Sequence, residues 1–171
     1  MSLSLATLND SDCAGFTAAL GHLFEHSPWV AEETWPQRPF SNASALHAAL
    51  CATMRRASRD RQLALIRAHP DLAGRLARQM QLTAESTREQ ASAGLDQLTD
   101  AELAEFTRQN EAYRARFGFP FIICARLNAK AAILAAMAVR VAHSPEAEFA
   151  TALGEIEKIA WLRLQDILES P

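Results

Sequence analysis

Alanine and leucine supply 55 of the 171 residues, whereas valine and isoleucine together supply only 10. That imbalance constrains the fold more than any motif does. Ala and Leu lose little freedom in a helix, and the β-branched residues that suit a pleated sheet are scarce. Gly and Pro, at 6 and 7, are too few to turn a chain of many short strands. The expectation is an all-α fold: one domain over residues 1–171, built as a helical bundle of about eight to nine helices. With 49% hydrophobic residues, the chain can build its core without disulfides or a structural metal.

Charge narrows the function. Lys and Arg number 17 against 20 Asp and Glu, a net charge of -3. So close a balance excludes a nucleic-acid or membrane-surface binder working through bulk electrostatics, and the composition excludes intrinsic disorder. Cys13, Cys51 and Cys124 are odd in number and lack CxxC spacing, as in a reduced intracellular protein. The start, MSLSLATLND, lacks the basic and apolar regions of a signal peptide. The most apolar stretch, Ala131 to Val139, is bounded by Lys130 and Arg140 and is too short to span a bilayer. A cytoplasmic location is expected.

Apolar spacing predicts a first helix from Asp12 to about Glu25, with Phe16, Leu20, Leu23 and Phe24 on its inner face. Ser44 to Ala57 and Asp60 to Ala68 read as two more, the second halted because Pro70 disfavours the α conformation at His69. Asp71 can cap a short helix after it. Ser86-x-x-Glu89 and Thr99-x-x-Glu102 read as capping boxes, and Gly94 as a helix stop. Asn128 to Val141 is apolar nearly all round, which predicts a central, buried helix.

The last predicted helix, Pro145 to about Leu168, carries Arg163 inside an apolar arc of Phe149, Leu153, Ile156, Ala160, Leu164 and Ile167. A guanidinium aimed at a core needs an anionic partner or a polar pocket. The alternatives are a snorkelling side chain or a pair with an internal carboxylate.

Four constellations could carry chemistry. His69 stands where a helix ends, a position that suits acid/base work near neutral pH, although a lone histidine there more often simply caps the negative end of the helix dipole. Ser86, Glu89 and Gln90 share one face of a helical turn, where they could hold a small polar heterocycle or simply close a capping box. His22-x-x-Glu25-His26 has the H-x-x-E-H spacing of a zinc hydrolase, two imidazoles with a glutamate to activate water. In Arg116 to Ala125, Gly118 and Pro120 interrupt helix beside three phenylalanines, so unpaired backbone groups there must find other partners. Cys124 within it reads as a small buried residue rather than a nucleophile.

Taken in order, FEHSPWVAE, HPDLAGR, SxxEQ with AGL, RFGFPFIICA and ALGEIEKIAWLRL resemble the 2-oxo-4-hydroxy-4-carboxy-5-ureidoimidazoline (OHCU) decarboxylases of urate degradation. The resemblance covers about residues 16 to 168, and the five motifs together are specific where each alone is not. It implies an all-helical lyase that makes (S)-allantoin, needs no cofactor or metal, and works as a homodimer on a small-molecule substrate. By the same resemblance His69 and Glu89 are catalytic, and Pro70, Ser86, Gln90 and Arg163 bind substrate. The main chain of Phe121, Ile122, Ile123, Cys124 and Ala125 joins them against the substrate ring. The functional coupling it suggests is to a hydroxyisourate hydrolase, with neither nucleic acid nor membrane as a partner. Two other readings stand beside it: a zinc-dependent hydrolase at His22, Glu25 and His26, and a non-catalytic helical interaction domain with Arg163 bridged to an internal carboxylate.

Overall fold

The computed structural model describes residues 3–73 and 82–168, and these are all-α, with two short 3-10 turns and one isolated parallel bridge between Leu3 and Leu168. The chain divides into two compact units, one running to Ala68 and resuming at Glu157, the other His69–Ile156. No helix among the described residues is long and apolar enough to cross a membrane.

The first unit holds α1 (Leu5–Asp10), α2 (Cys13–Leu20), α3 (Trp29–Thr34), α4 (Ala43–Arg56) and α5 (Arg59–Ala68). Short polar side chains start three of them. Ser4, Asp12 and Asn42 each accept a main-chain N–H of the first turn, from Thr7, Gly15 and Ala45. α2 ends at Leu20, five residues short of the expected helix, and Gly21 caps it at a position where no side chain would fit. A Cβ on Gly21 would lie 2.6 Å from the Thr17 carbonyl oxygen and 3.1 Å from Pro28. Residues 22–27 therefore run as turns, and Leu23 and Phe24 reach the core from a loop instead of a helix. Fully buried side chains such as Phe16, Leu20 and Leu46 each stabilise the unit by about 1.5–3 kcal/mol.

The second unit holds α6 (Ala84–Ser92), α7 (Asp100–Phe117), α8 (Lys130–Arg140) and the start of α9 (Pro145–Ile167), whose remainder belongs to the first unit. Thr99 and Glu102 form the expected capping box of α7. The other expected box is not one. Thr83 caps α6 by accepting the Ser86 N–H, which places Ser86 and Glu89 inside the helix rather than at its border. At the far end of α7, Gly118 takes a left-handed conformation (φ 73°) and sends the chain into the Phe119–Cys124 segment. Asp71 lies in a turn, and the short helix it was expected to cap falls outside the described residues.

α8 corrects the expectation of a central apolar helix. Of its residues only Ile133, Met137 and Arg140 are buried, whereas Ala131, Ala132, Ala135, Ala138 and Val139 are exposed. An alanine methyl buries so little area that exposing it costs little, so an alanine-rich helix can lie on a surface.

Candidate active site

Most of the expected site residues fall in the second unit. His69 follows α5 directly and is buried, with Pro70 beside it half-buried. The turn beyond is fastened from two helices. Arg114 of α7 donates from Nε to both carboxylate oxygens of the buried Asp71, at 2.9 and 3.1 Å. Asn110 of α7 donates to the Leu72 carbonyl at 3.0 Å. Gln90 of α6 uses both ends of its amide: Oε1 accepts the Ala73 N–H at 3.0 Å and Nε2 donates to the Asp71 carbonyl at 3.1 Å. Ala73 is thereby held at φ 50°, a conformation that L side chains rarely adopt. Gly74 and Arg75 of the HPDLAGR motif lie outside the described residues.

α6 presents Ser86, Glu89 and Gln90 together, Ser86 and Gln90 buried and Glu89 half-buried. Because Thr83 makes the cap, Glu89 stands in the middle of the helix rather than at its capped end. α6 packs on the 3-10 turn Ala125–Leu127, which closes the segment from Phe121 to Ala125. All five residues of that segment are buried. Burial, then the nearby charge of Glu155 and more weakly that of Glu89, raises the Cys124 thiol above its ordinary range, so it stays protonated and is a poor nucleophile.

Around the segment stands an aromatic wall. Tyr113 meets Phe117, Phe119 and Phe121 at ring-centroid distances of 4.6, 6.0 and 5.3 Å. Its hydroxyl donates to the buried Glu148, and burial together with that carboxylate raises the phenol well above its usual value. Arg140 and His143 also bond Glu148, and Glu155 accepts the Cys124 N–H at 2.8 Å.

Sequence reasoning missed Arg114, Asn110, Arg140, Glu148 and Glu155. A signal existed for two of them. Glu148, Ala152, Glu155 and Ile159 form a second buried stripe on α9, adjacent to the apolar arc that drew attention to Arg163.

Arg163 lies in the first unit and is buried, as the arc requires. Its Nη1 donates to Glu25 Oε2 at 3.1 Å and to the His22 carbonyl at 3.3 Å. Glu25 is itself buried, so the acidic member of the H-x-x-E-H pattern serves a guanidinium. His22 and His26 sit in turns after Gly21, and His26 has φ 46°, so the helical i, i+4 presentation that a zinc site needs is not built. Among the described residues, no three His, Cys, Asp or Glu side chains stand close enough to hold a metal ion.

Comparison with known proteins matches residues 9–165 to the family model described as OHCU decarboxylase. The 2-oxo-4-hydroxy-4-carboxy-5-ureidoimidazoline decarboxylase of Haloferax volcanii is 46% identical over 168 residues, covering 98% of either chain. A uric acid degradation bifunctional protein of Bacillus subtilis is 42% identical over 94% of this chain, which spans only 32% of that protein. Among solved structures, one described as (S)-allantoin synthase superposes with a TM-score of 0.78 at 36% identity, covering 98% of this chain and 54% of that one.

Proposed function

The chain belongs to the OHCU decarboxylase family and is a decarboxylase of urate degradation, and on that premise we propose which of its residues carry the conversion of OHCU to (S)-allantoin. The observation that carries the proposal is that His69, the Ser86–Glu89–Gln90 face and the buried 121–125 segment fall in one unit, with the turn after His69 tied to Gln90 itself. Full-length likeness to decarboxylases weighs against the zinc hydrolase and the interaction domain, although the Arg163–Glu25 pair is what the latter would contain.

The substrate ring bears a carboxylate and a hydroxyl on C4. Breaking the bond to the carboxylate releases carbon dioxide, and its electron pair becomes a C4=C5 bond. The adjacent C=N pair moves onto the ring nitrogen, which takes a proton from solvent, so the ring supplies its own electron sink and leaves an enol at C4. His69 takes the C4 hydroxyl proton as that carbon becomes a carbonyl and helps return a proton to C5 on one face. A positioned acid/base group of this kind contributes roughly 10²–10⁴-fold. Glu89 accepts from the ring N–H groups and biases the protonation state of His69.

Ser86 and Pro70 line the ligand. Gln90 meets it with the second N–H of its Nε2, since a carboxamide has two donors and the other one holds the Asp71 carbonyl. The main chain of residues 121–125 holds the ring and ureido arm, and Arg163, fixed by Glu25, takes the anionic or carbonyl end. The family model runs through both units, which supports one catalytic domain over 1–171.

We further infer a cytoplasmic homodimer coupled in function to a hydroxyisourate hydrolase. A bifunctional relative in urate degradation supports the coupling. Light scattering in solution checks the dimer.

Circular dichroism during turnover tests the reaction. Urate oxidase and hydroxyisourate hydrolase generate fresh substrate in the cuvette, and added enzyme should make the (S)-allantoin signal grow rapidly. His69→Ala, folded by its far-ultraviolet spectrum, should slow that growth by about 10²–10⁴-fold. Only slow racemic decay with the wild type would overturn the assignment.

A further inference from the structure

Two buried carboxylates on one helix have no part in the chemistry above. Glu148 and Glu155 lie seven residues apart on α9 and flank Ala152 on the same buried stripe. A carboxylate removed from water is costly unless its oxygens are satisfied, and both are. Glu155 Oε2 accepts the Cys124 main-chain N–H at 2.8 Å. Glu148 Oε1 accepts from Arg140 Nε at 2.7 Å, and Oε2 meets His143 Nδ1 at 3.0 Å.

Arg140 then reaches onward. Its Nη1 donates to the Ile122 carbonyl at 2.8 Å, and its guanidinium carbon sits 4.2 Å over the Phe121 ring.

The Ile122 carbonyl and the Cys124 N–H, two residues apart, are thus both held by charged side chains. In an extended chain these two groups point to one edge, and the N–H and C=O of Ile123 point to the other. Hydrogen bonds to charged groups are short and strong, more so in a buried setting. We propose that Glu155 and the Arg140–Glu148 pair are positioning residues, fastening one edge of residues 121–125 so that the opposite edge, at Ile123, meets the substrate ring in a fixed geometry. The inference rests on the reading of that segment as substrate-binding.

Backbone amide exchange followed by NMR reads the fastening directly. In the wild type the Cys124 amide should exchange slowly, and (S)-allantoin should further protect the Ile123 amide. Glu155→Asp keeps the charge but withdraws the acceptor by one methylene; Glu155→Gln keeps an acceptor at full reach. The Asp variant should exchange faster at Cys124, lose about 10–100-fold in kcat/KM and give (S)-allantoin of lower enantiomeric excess, and the Gln variant should recover most of that loss.

Rapid exchange at Cys124 in the wild type would overturn the fastening. Faster exchange in Glu155→Asp with unchanged kcat/KM and enantiomeric excess would show that the fastening positions nothing. Failure of the underlying site reading looks different: (S)-allantoin would bind the wild type yet leave the 121–125 amides unmoved. If Glu155→Asp does not fold, Arg140→Lys serves the same measurements. One ammonium cannot span Glu148 and the Ile122 carbonyl as the guanidinium does, and wild-type kcat/KM and enantiomeric excess in that variant would overturn the proposal.

Discussion

Gln90 is proposed to do two jobs with one amide, and its structural one can be weighed. Its Oε1 and Nε2 hold the Ala73 N–H and the Asp71 carbonyl, both buried, in the turn that follows His69. Gln90→Ala would strand that donor and that acceptor, at a cost of about 1–3 kcal/mol in unfolding free energy. A residue that met only substrate would leave urea unfolding of the ligand-free protein unchanged, so the measurement separates the two roles. Cys51 gives a residue-scale prediction in pH. Burial, reinforced by the Glu157 charge, pushes its thiol from an ordinary 9.0 up to about 12. Between those values the unfolded chain has lost the proton that the folded chain keeps, so stability falls as pH rises. Urea unfolding from about pH 8 to about pH 10.5 should show a steeper loss above pH 9 in the wild type than in Cys51→Ala. Equal slopes would remove Cys51 from the account.

At the scale of elements, Gly118 decides where α7 ends and where the Phe119–Cys124 segment begins. Its left-handed φ of 73° lets its N–H close on the Arg114 carbonyl at 2.8 Å while the chain turns toward Phe119. An alanine there meets the clash between Cβ and the following carbonyl, about 1–2 kcal/mol, whereas asparagine tolerates the region better. Gly118→Ala should therefore lower the urea midpoint more than Gly118→Asn, and identical midpoints would contradict the strain argument. Element ends were legible from the sequence where one side chain settles them, as at Thr99 with Glu102 and at Pro70. Ser86 with Glu89 shows the limit. Thr83 stands three residues before Ser86, so two overlapping hydroxyl patterns compete and only the chain's approach to the helix chooses between them. α8 shows another, because periodicity reports which positions are apolar, and an alanine methyl loses too little in water to report burial.

For the whole molecule, the apolar cores followed from composition, but the buried charges did not. Arg163 was legible because it interrupts an arc of its own helix; its partner Glu25 lies 138 residues away in the chain, and no periodicity marks such a pair. For Glu148 and Glu155 the stripe on their own helix was legible but the partners were not, since Arg140, Tyr113 and Cys124 lie on other elements. The Arg163–Glu25 pair also allows stability and function to be separated. Breaking a buried ion pair from one side costs about 3–5 kcal/mol, since the remaining charge stays out of water. Glu25→Leu should therefore destabilise strongly in equilibrium unfolding. Replacing both members with apolar residues of similar volume, Arg163→Met with Glu25→Leu, removes both desolvation costs and should restore stability to within about 1 kcal/mol of wild type. On the proposed role of Arg163 at the substrate's anionic or carbonyl end, turnover should not return with it. If the double variant were both stable and active, Arg163 would be a structural residue, and the substrate's anionic or carbonyl end would have to be held by another group.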